Sequence, residues 1–322
     1  MNTVFMIDGG IGRVITSIPA LHNYHKQNPH DDFSILASHP LVFMNDNVLH
    51  NRVLLSENNV DIFKERIRPN AVLHPEPYHD HQYFNNQISL HQAFNKIINN
   101  TNDHSDLQYP VLTLSNSEIE NSIKAKRYLQ EKCFNKPIVV FQPFGESCFE
   151  ENGVLRDHSG RSMSFELAQH IVFMLSKKYC VYYFGPNFHS CNLKDVFNFN
   201  DRGTDIRFQM QIISQSAGFI GIDSCGQHIS HAFKIPSVVF LGATVGVNVS
   251  YPNSNYFYAT HRQGYVPEYI PFRICDLLPA SPQILSAMDF TYYETNMILK
   301  TLEVMIADCN RLTPDHVQYT IV

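Results

Sequence analysis

The sequence predicts an α/β protein built from two Rossmann-like domains facing each other across a cleft. Three observations predict it. Short apolar runs alternate with segments of helical spacing, the mark of parallel strands covered by helices. That series stops and starts again near Phe134–Pro137. The chain has 322 residues, 44% of them hydrophobic, more than one ordinary core needs and enough for two. The expected domains are residues 1–134 and 135–284. A helix and tail over 285–322 are expected to pack back on the first domain.

Taken in order, "TVFMI" is a short apolar strand that ends in the turn signal "DGGIG". Apolar residues then recur at Val14, Ile18 and Leu21, one face of a helix. "FSILAS", "RVLLS" and "AVLHPEP" read as further strands. The Asn-rich stretch around 95–105 reads as a loop. "SNSEIENSIKAKRYLQEK" opens with Ser115 and, three residues on, Glu118, a capping box ahead of a long helix. The second series gives strands at "KPIVVFQ", "YCVYYFGP", "GFIGID" and "PSVVFLGA". Between them lie helices at "SFELAQHIVFMLSKK", "FQMQIISQS" and Gly226–Phe233. Helical spacing returns over 285–309.

Composition removes several function classes. The formal net charge of −6 provides no global basic field for a nucleic acid, so a nucleic-acid partner is not favoured. Seven cysteines (133, 148, 180, 191, 225, 275 and 309) are scattered, with no CxxC pair. That pattern predicts reduced thiols rather than a disulfide framework or a zinc site. No apolar stretch reaches membrane-spanning length, and the N-terminal run lacks a signal-peptide layout. The expectation is a cytoplasmic protein without a membrane span.

Two constellations carry chemistry. In "DGGIGRVITSIPAL" the glycines, Gly10 and Gly12 among them, permit a sharp strand-to-helix turn. The helix start and Arg13 offer N–H groups and positive charge to an anion. The spacing is neither the dinucleotide fingerprint nor a P-loop. In "IGIDSCGQHISHAFKIPSVVFLGAT", Asp223 and Ser224 end a strand and open a helix. There the backbone N–H groups and the Ser224 hydroxyl can hold a phosphate oxygen. Gly226 would let a ligand approach the backbone, and His228 lies one turn on. Each of these residues also has an ordinary reading as a helix cap or interior histidine.

Together these motifs resemble glycosyltransferase family 9, the ADP-heptose:lipopolysaccharide heptosyltransferase-like enzymes of the GT-B fold. The resemblance rests on Asp223, Ser224, His228, Pro236, Gly242 and Thr244, and on the glycine loop leading to "IPAL". "QPFGES", with Gln142 and Gly145, followed by Arg161 before a helix, is similar to the family's donor-phosphate region. The chain departs from the family at two places. Arg13 stands where the family carries the Asp regarded as catalytic base, and Cys225 stands where it has Gly.

The resemblance implies an inverting, metal-independent transfer from a nucleotide-diphosphate sugar, used as co-substrate without other cofactor, to a hydroxyl acceptor such as a saccharide. The first domain would then serve the acceptor and the second the nucleotide sugar. Such chemistry needs a base for the hydroxyl and positive charge for the departing diphosphate. Arg161, the helix start at 224–228 and Arg13 are the expected diphosphate ligands, with Asp223 and His228 facing the donor. Asp8 and, in "HPEPYHDHQYF", Asp80 are the two expected bases; the second segment reads as an acceptor loop rather than a metal site. Arg156, Asp157 and His158 are expected in a loop that closes over the donor. Two other readings stay open: transfer to a modified DNA base, as in some viral enzymes, and a silent binding module that keeps the nucleotide-sugar site.

Overall fold

The computed structural model describes residues 2–55, 61–152, 154–157, 159–185, 196–197, 205–242, 244–249, 251, 256–259 and 290–311. The chain divides into two compact units after Ser115.

The first unit carries β1 (Thr3–Ile7), α1 (Ile11–Gln27), β2 (Phe33–Ala37), β3 (Ala71–Leu73), α2 (His81–Phe84) and α3 (Leu90–Asn99). Its sheet is parallel, in the order β2-β1-β3. Strand β1 lies in the middle, with Val4, Phe5 and Ile7 buried, as are Val14, Ile15, Ile18 and Leu21 of α1. Helix α3 packs along α1 and adds Phe94 and Ile98 to this core. The expected strand at "RVLLS" shrinks to a single bridge, Ile35 to Val53. The Asn-rich stretch is not all loop, because α3 runs to Asn99. Asn95 is fully buried and bonds Asn23, Asn99 and the Asp103 carbonyl, so a residue that looks like loop composition instead joins two helices.

The second unit carries α4 (Asn116–Lys132), β4 (Ile138–Gln142), β5 (Cys148–Glu151), β6 (Val154–Asp157), α5 (Phe165–Ser176), β7 (Cys180–Tyr183) and β8 (Val196–Phe197). It continues through α6 (Ile206–Ser214), β9 (Gly218–Ile222), α7 (Cys225–Ala232), β10 (Ser237–Phe240), α8 (Gly246–Val249), β11 (Tyr256–Ala259) and α9 (Tyr292–Arg311). Its main sheet has the order β11-β10-β9-β4-β7-β8, every pairing parallel. The chain starts at β4, moves out through β7 and β8, then returns to the other side of β4 with β9. This is the Rossmann order, and its switch point lies between β4 and β9; in sheets of this order ligands bind outside the carboxyl ends of the strands at that point. The central strands are buried on both faces: β4 and β9 have no exposed residue.

One boundary differs from the sequence expectation. The restart at Phe134–Pro137 marks the first strand of the second sheet, but α4 before it already belongs to the second unit. It packs on α6, where Glu118 Oε1 and Oε2 accept from Arg207 Nε and Nη2, both at 2.7 Å. Helix α9 lies on α5, β10 and β11, with Leu299, Leu302 and Ile306 in the second core; residues 285–289 and 312–322 lie outside the described residues. The cysteines depart as well: Cys133, just past α4, and Cys180 of β7 form a disulfide rather than two free thiols. Folding brings their Cα atoms to 5.4 Å across a separation of 47 residues, which spacing alone does not reveal.

Candidate functional sites

In the second unit, three sequence-distant segments meet at the carboxyl ends of β4 and β9. Gln142 closes β4, and its side chain bridges the switch point. Its Nε2 donates to Ser224 Oγ at 3.1 Å, while its Oε1 accepts the Gly226 N–H at 3.0 Å. Asp223 follows β9 and is buried. Gln227 Nε2 donates to its Oδ1 at 2.6 Å, and Arg161 Nη1 lies 3.7 Å from its Oδ2. The same Arg161 Nη1 donates to the Asp223 carbonyl at 3.1 Å. Burial pushes the Asp223 carboxyl up from its ordinary range, against the opposing pull of Arg161. The Arg161 side chain keeps about a quarter of its surface open, 27%, so this guanidinium is held in place yet accessible.

Arg161 is fixed by a loop that the sequence misread. Arg156 and Asp157 do not form a closing loop. They lie in β6, which pairs antiparallel with β5 as a hairpin; His158 lies outside the described residues. Asp157 is fully buried and gathers the segment around itself. Its Oδ1 accepts from Ser147 Oγ (2.6 Å), Ser159 N (2.8 Å) and Ser159 Oγ (2.7 Å). Its Oδ2 accepts from Arg161 N (3.1 Å) and Ser162 N (2.7 Å). Burial alone would raise this carboxyl, but the hydrogen bonds from Ser147, Ser162 and Ser159 outweigh it and hold it at about 2. Ser162 Oγ in turn accepts the Gly145 N–H at 2.9 Å, tying the loop after β4 to the same anchor.

The role expected of Gly226 changes. A Cβ there would sit 2.3 Å from Gln142 Oε1 and 2.6 Å from the Phe219 ring. The close approach that requires glycine is made by the protein's own side chains, not by a ligand, and the Gly226 N–H already has its acceptor. At Gly145, by contrast, a Cβ would meet only ordinary contacts. His228 proves to be an interior histidine. It is 6% exposed, its Nδ1 is 2.7 Å from the Tyr251 hydroxyl, and His231 stacks on the same ring at 4.0 Å. At this switch point Arg161, Ser224 and Cys225 are half-buried. Burial raises the Cys225 thiol. Thr244, after β10, is buried.

The first unit has its own cluster at the carboxyl ends of β1 and β3. Asp8 follows β1, and Gly9 makes the turn with φ of 90°, which L side chains rarely adopt. Gly10 caps α1 at φ −72° with open space around it, and Gly12 falls in the first helical turn. Arg13 is not available to a phosphate. Its side chain is 3% exposed, and its Nη2 lies 3.0 Å from Asp8 Oδ1. It also donates to Glu76 Oε2 at 3.2 Å and to the Pro75 carbonyl at 3.0 Å. The rings of Tyr78 and Phe94 flank it at 5.1 and 5.8 Å. The residue that replaces the resembled family's acid therefore positions another acid, Asp8, which remains 37% exposed. His74, the first residue after β3, holds the other Asp8 oxygen, with Nε2 3.2 Å from Oδ2.

Asp80 is a structural residue. It caps α2, accepting from Gln82 N (2.9 Å) and Tyr83 N (3.2 Å) through Oδ1, and its Oδ2 pairs with Lys96 Nζ at 2.8 Å. Burial would raise this carboxyl, and these partners bring it below its ordinary value. Sequence reasoning passed over His74 and the positioning role of Glu76. The signal was present in both cases: a polar residue at the carboxyl end of a parallel strand, the same position that singled out Asp8. Among the described residues, no three His, Cys, Asp or Glu side chains converge as a metal set, and no helix is long and apolar enough to cross a membrane.

No protein-family model and no curated protein sequence matches the chain. Solved structures do. A family 9 glycosyl transferase from Veillonella parvula superposes with a TM-score of 0.64 at 10% identity, covering 95% of this chain and 97% of that one. ADP-heptose lipopolysaccharide heptosyltransferase II of E. coli gives 0.58 at 10% identity, covering 96% and 100%. The dodecameric iron-containing glycosyltransferase TibC of enterotoxigenic E. coli gives 0.58 at 13% identity, covering 97% of this chain and 76% of that one. These likenesses span nearly the whole chain, and both of its α/β units carry the fold of these GT-B glycosyltransferases.

Proposed function

We propose that the protein is a glycosyltransferase that moves a sugar from a nucleotide-diphosphate sugar to a hydroxyl acceptor such as a saccharide, with inversion and without a bound metal. The observation that carries this reading is the arrangement at the β4–β9 switch point. There an accessible Arg161 is locked beside Ser224 and the start of α7 in a fold shared with glycosyltransferases. Charge builds on the diphosphate as the glycosidic bond to phosphate breaks. A guanidinium held by Asp223 can meet two phosphate oxygens without reorganising, and it never loses its charge. The Asp8 cluster of the first unit supplies the acid–base function for the acceptor hydroxyl. A nucleotide diphosphate sits naturally at such a switch point, as dinucleotides do in other Rossmann sheets.

The test is a panel of nucleotide-diphosphate sugars with free nucleotide diphosphate as the readout. Arg161→Ala is expected to lower turnover by about 10²–10³-fold, the cost of removing one charge-stabilising donor. Asp8→Asn is expected to lower it within the roughly 10²–10⁴-fold range of a lost acid–base function while leaving nucleotide diphosphate binding intact. Binding without turnover by the unmodified protein would instead establish the silent-module reading.

A further inference from the structure

The Asp8 cluster contains a group better placed than Asp8 to take a proton. Both Asp8 oxygens already lie against a nitrogen: Oδ1 is ion-paired with Arg13 Nη2 at 3.0 Å and Oδ2 lies 3.2 Å from His74 Nε2. Proton uptake on that carboxylate would break one of these contacts. His74 is in the opposite situation. Its side chain is 46% exposed, and the pairing of Nε2 to Asp8 selects the tautomer that carries its proton there. The Nδ1 lone pair then faces no partner among the described residues. The cluster behind the imidazole holds one guanidinium, Arg13, and two carboxylates, Asp8 and Glu76. A proton taken up at Nδ1 leaves the Nε2 contact with Asp8 in place.

We infer that His74 is the catalytic base of this protein and that Asp8, fixed by Arg13 and Glu76, is its positioning residue. The inference rests on the glycosyl-transfer reading. In the step, the acceptor O–H bond breaks and its proton passes to His74 Nδ1. The oxygen lone pair forms the new bond to the anomeric carbon, and the bond from that carbon to the diphosphate oxygen breaks, its electron pair leaving on the diphosphate. Arg13 then has a role that needs no contact with a ligand. It replaces an acid in the resembled family and, with Glu76 behind it, sets the carboxylate that aims the imidazole.

The experiment measures nucleotide diphosphate release by the full chain against pH, for the unmodified protein, His74→Gln, His74→Gly and Asp8→Asn, with circular dichroism as the check on folding. His74→Gln should lose about 10²–10³-fold in kcat at unchanged donor KM, and lose the acid limb of the kcat/KM profile. Added imidazole should restore His74→Gly at least about ten-fold and leave Asp8→Asn unchanged, since only the first variant has lost the base itself. Retention of the acid limb in His74→Gln, or His74→Gly at full rate without imidazole, overturns the inference while leaving the transfer reading standing. Absence of turnover by the unmodified protein with every donor overturns both.

Discussion

At the scale of single residues, the energetics of burying an ionisable group is measurable at two positions. Asp157 is the hub of the loop that fixes Arg161. Its carboxyl sits at about 2 in the folded protein, below its unfolded value, so its contribution is present above about pH 4 and is lost as pH falls through 2. By linkage this is worth about 2 kcal/mol. Asp157→Asn removes the charge and leaves serine and backbone donors short of an acceptor. The variant should lose about 2–4 kcal/mol in denaturant unfolding and weaken nucleotide diphosphate binding, although Asp157 touches no ligand. His91 makes the opposite case in the first unit. Burial first, then the nearby His104, pushes its imidazole down to about 4, and Ser89 Oγ lies 2.8 Å from its Nδ1. The unfolded chain therefore binds a proton that the folded chain refuses between about pH 6.5 and 4. Stability should fall by about 3 kcal/mol across that window, and His91→Gln should remove the slope.

At the scale of elements, four of the second sheet's six strands, β4, β7, β9 and β10, and most of its helices could be read from apolar runs and turn residues, because a doubly covered parallel sheet leaves its pattern in contiguous sequence. Less legible were the elements whose reasons are tertiary. The β5–β6 hairpin exists around a buried aspartate, and α3 is filled by an asparagine that bonds three partners across two segments. The motif at 223–228 was correctly placed at a strand end, but its internal logic was hidden. Gly226 is required by Gln142, 84 residues earlier, and no local rule links them. Gly226→Ala should therefore cost about 1–3 kcal/mol by forcing Gln142 and Phe219 apart. It should also weaken nucleotide diphosphate binding, because Gln142 then loses its place on Ser224; calorimetry on the variant measures both. Arg13 was similarly deceptive. An arginine after a glycine loop reads as an anion ligand, and only the folded positions of Asp8 and Glu76 show that its charge is already matched.

At the scale of the whole molecule, the division into two units falls before α4 rather than after it, and this has a consequence for dissection. The Glu118–Arg207 pair and the Cys133–Cys180 disulfide both hold α4 to the second sheet. In the chain-entropy view, a disulfide closing a separation of 47 residues contributes about 4 kcal/mol. A fragment starting at residue 116 should thus be markedly more stable than one starting at 135. Their thermal unfolding, with and without reductant, measures the difference, and reductant should narrow it. On the proposed function, Arg161 is foremost among the donors that meet the diphosphate. The most direct test of the account is acceptor-dependent release of nucleotide diphosphate from a sugar-donor panel by the intact chain and by Arg161→Ala. The account predicts release by the intact chain and a loss of about 10²–10³-fold in the variant. Equal rates in the two proteins, or no binding of any nucleotide diphosphate by the intact chain, would contradict it.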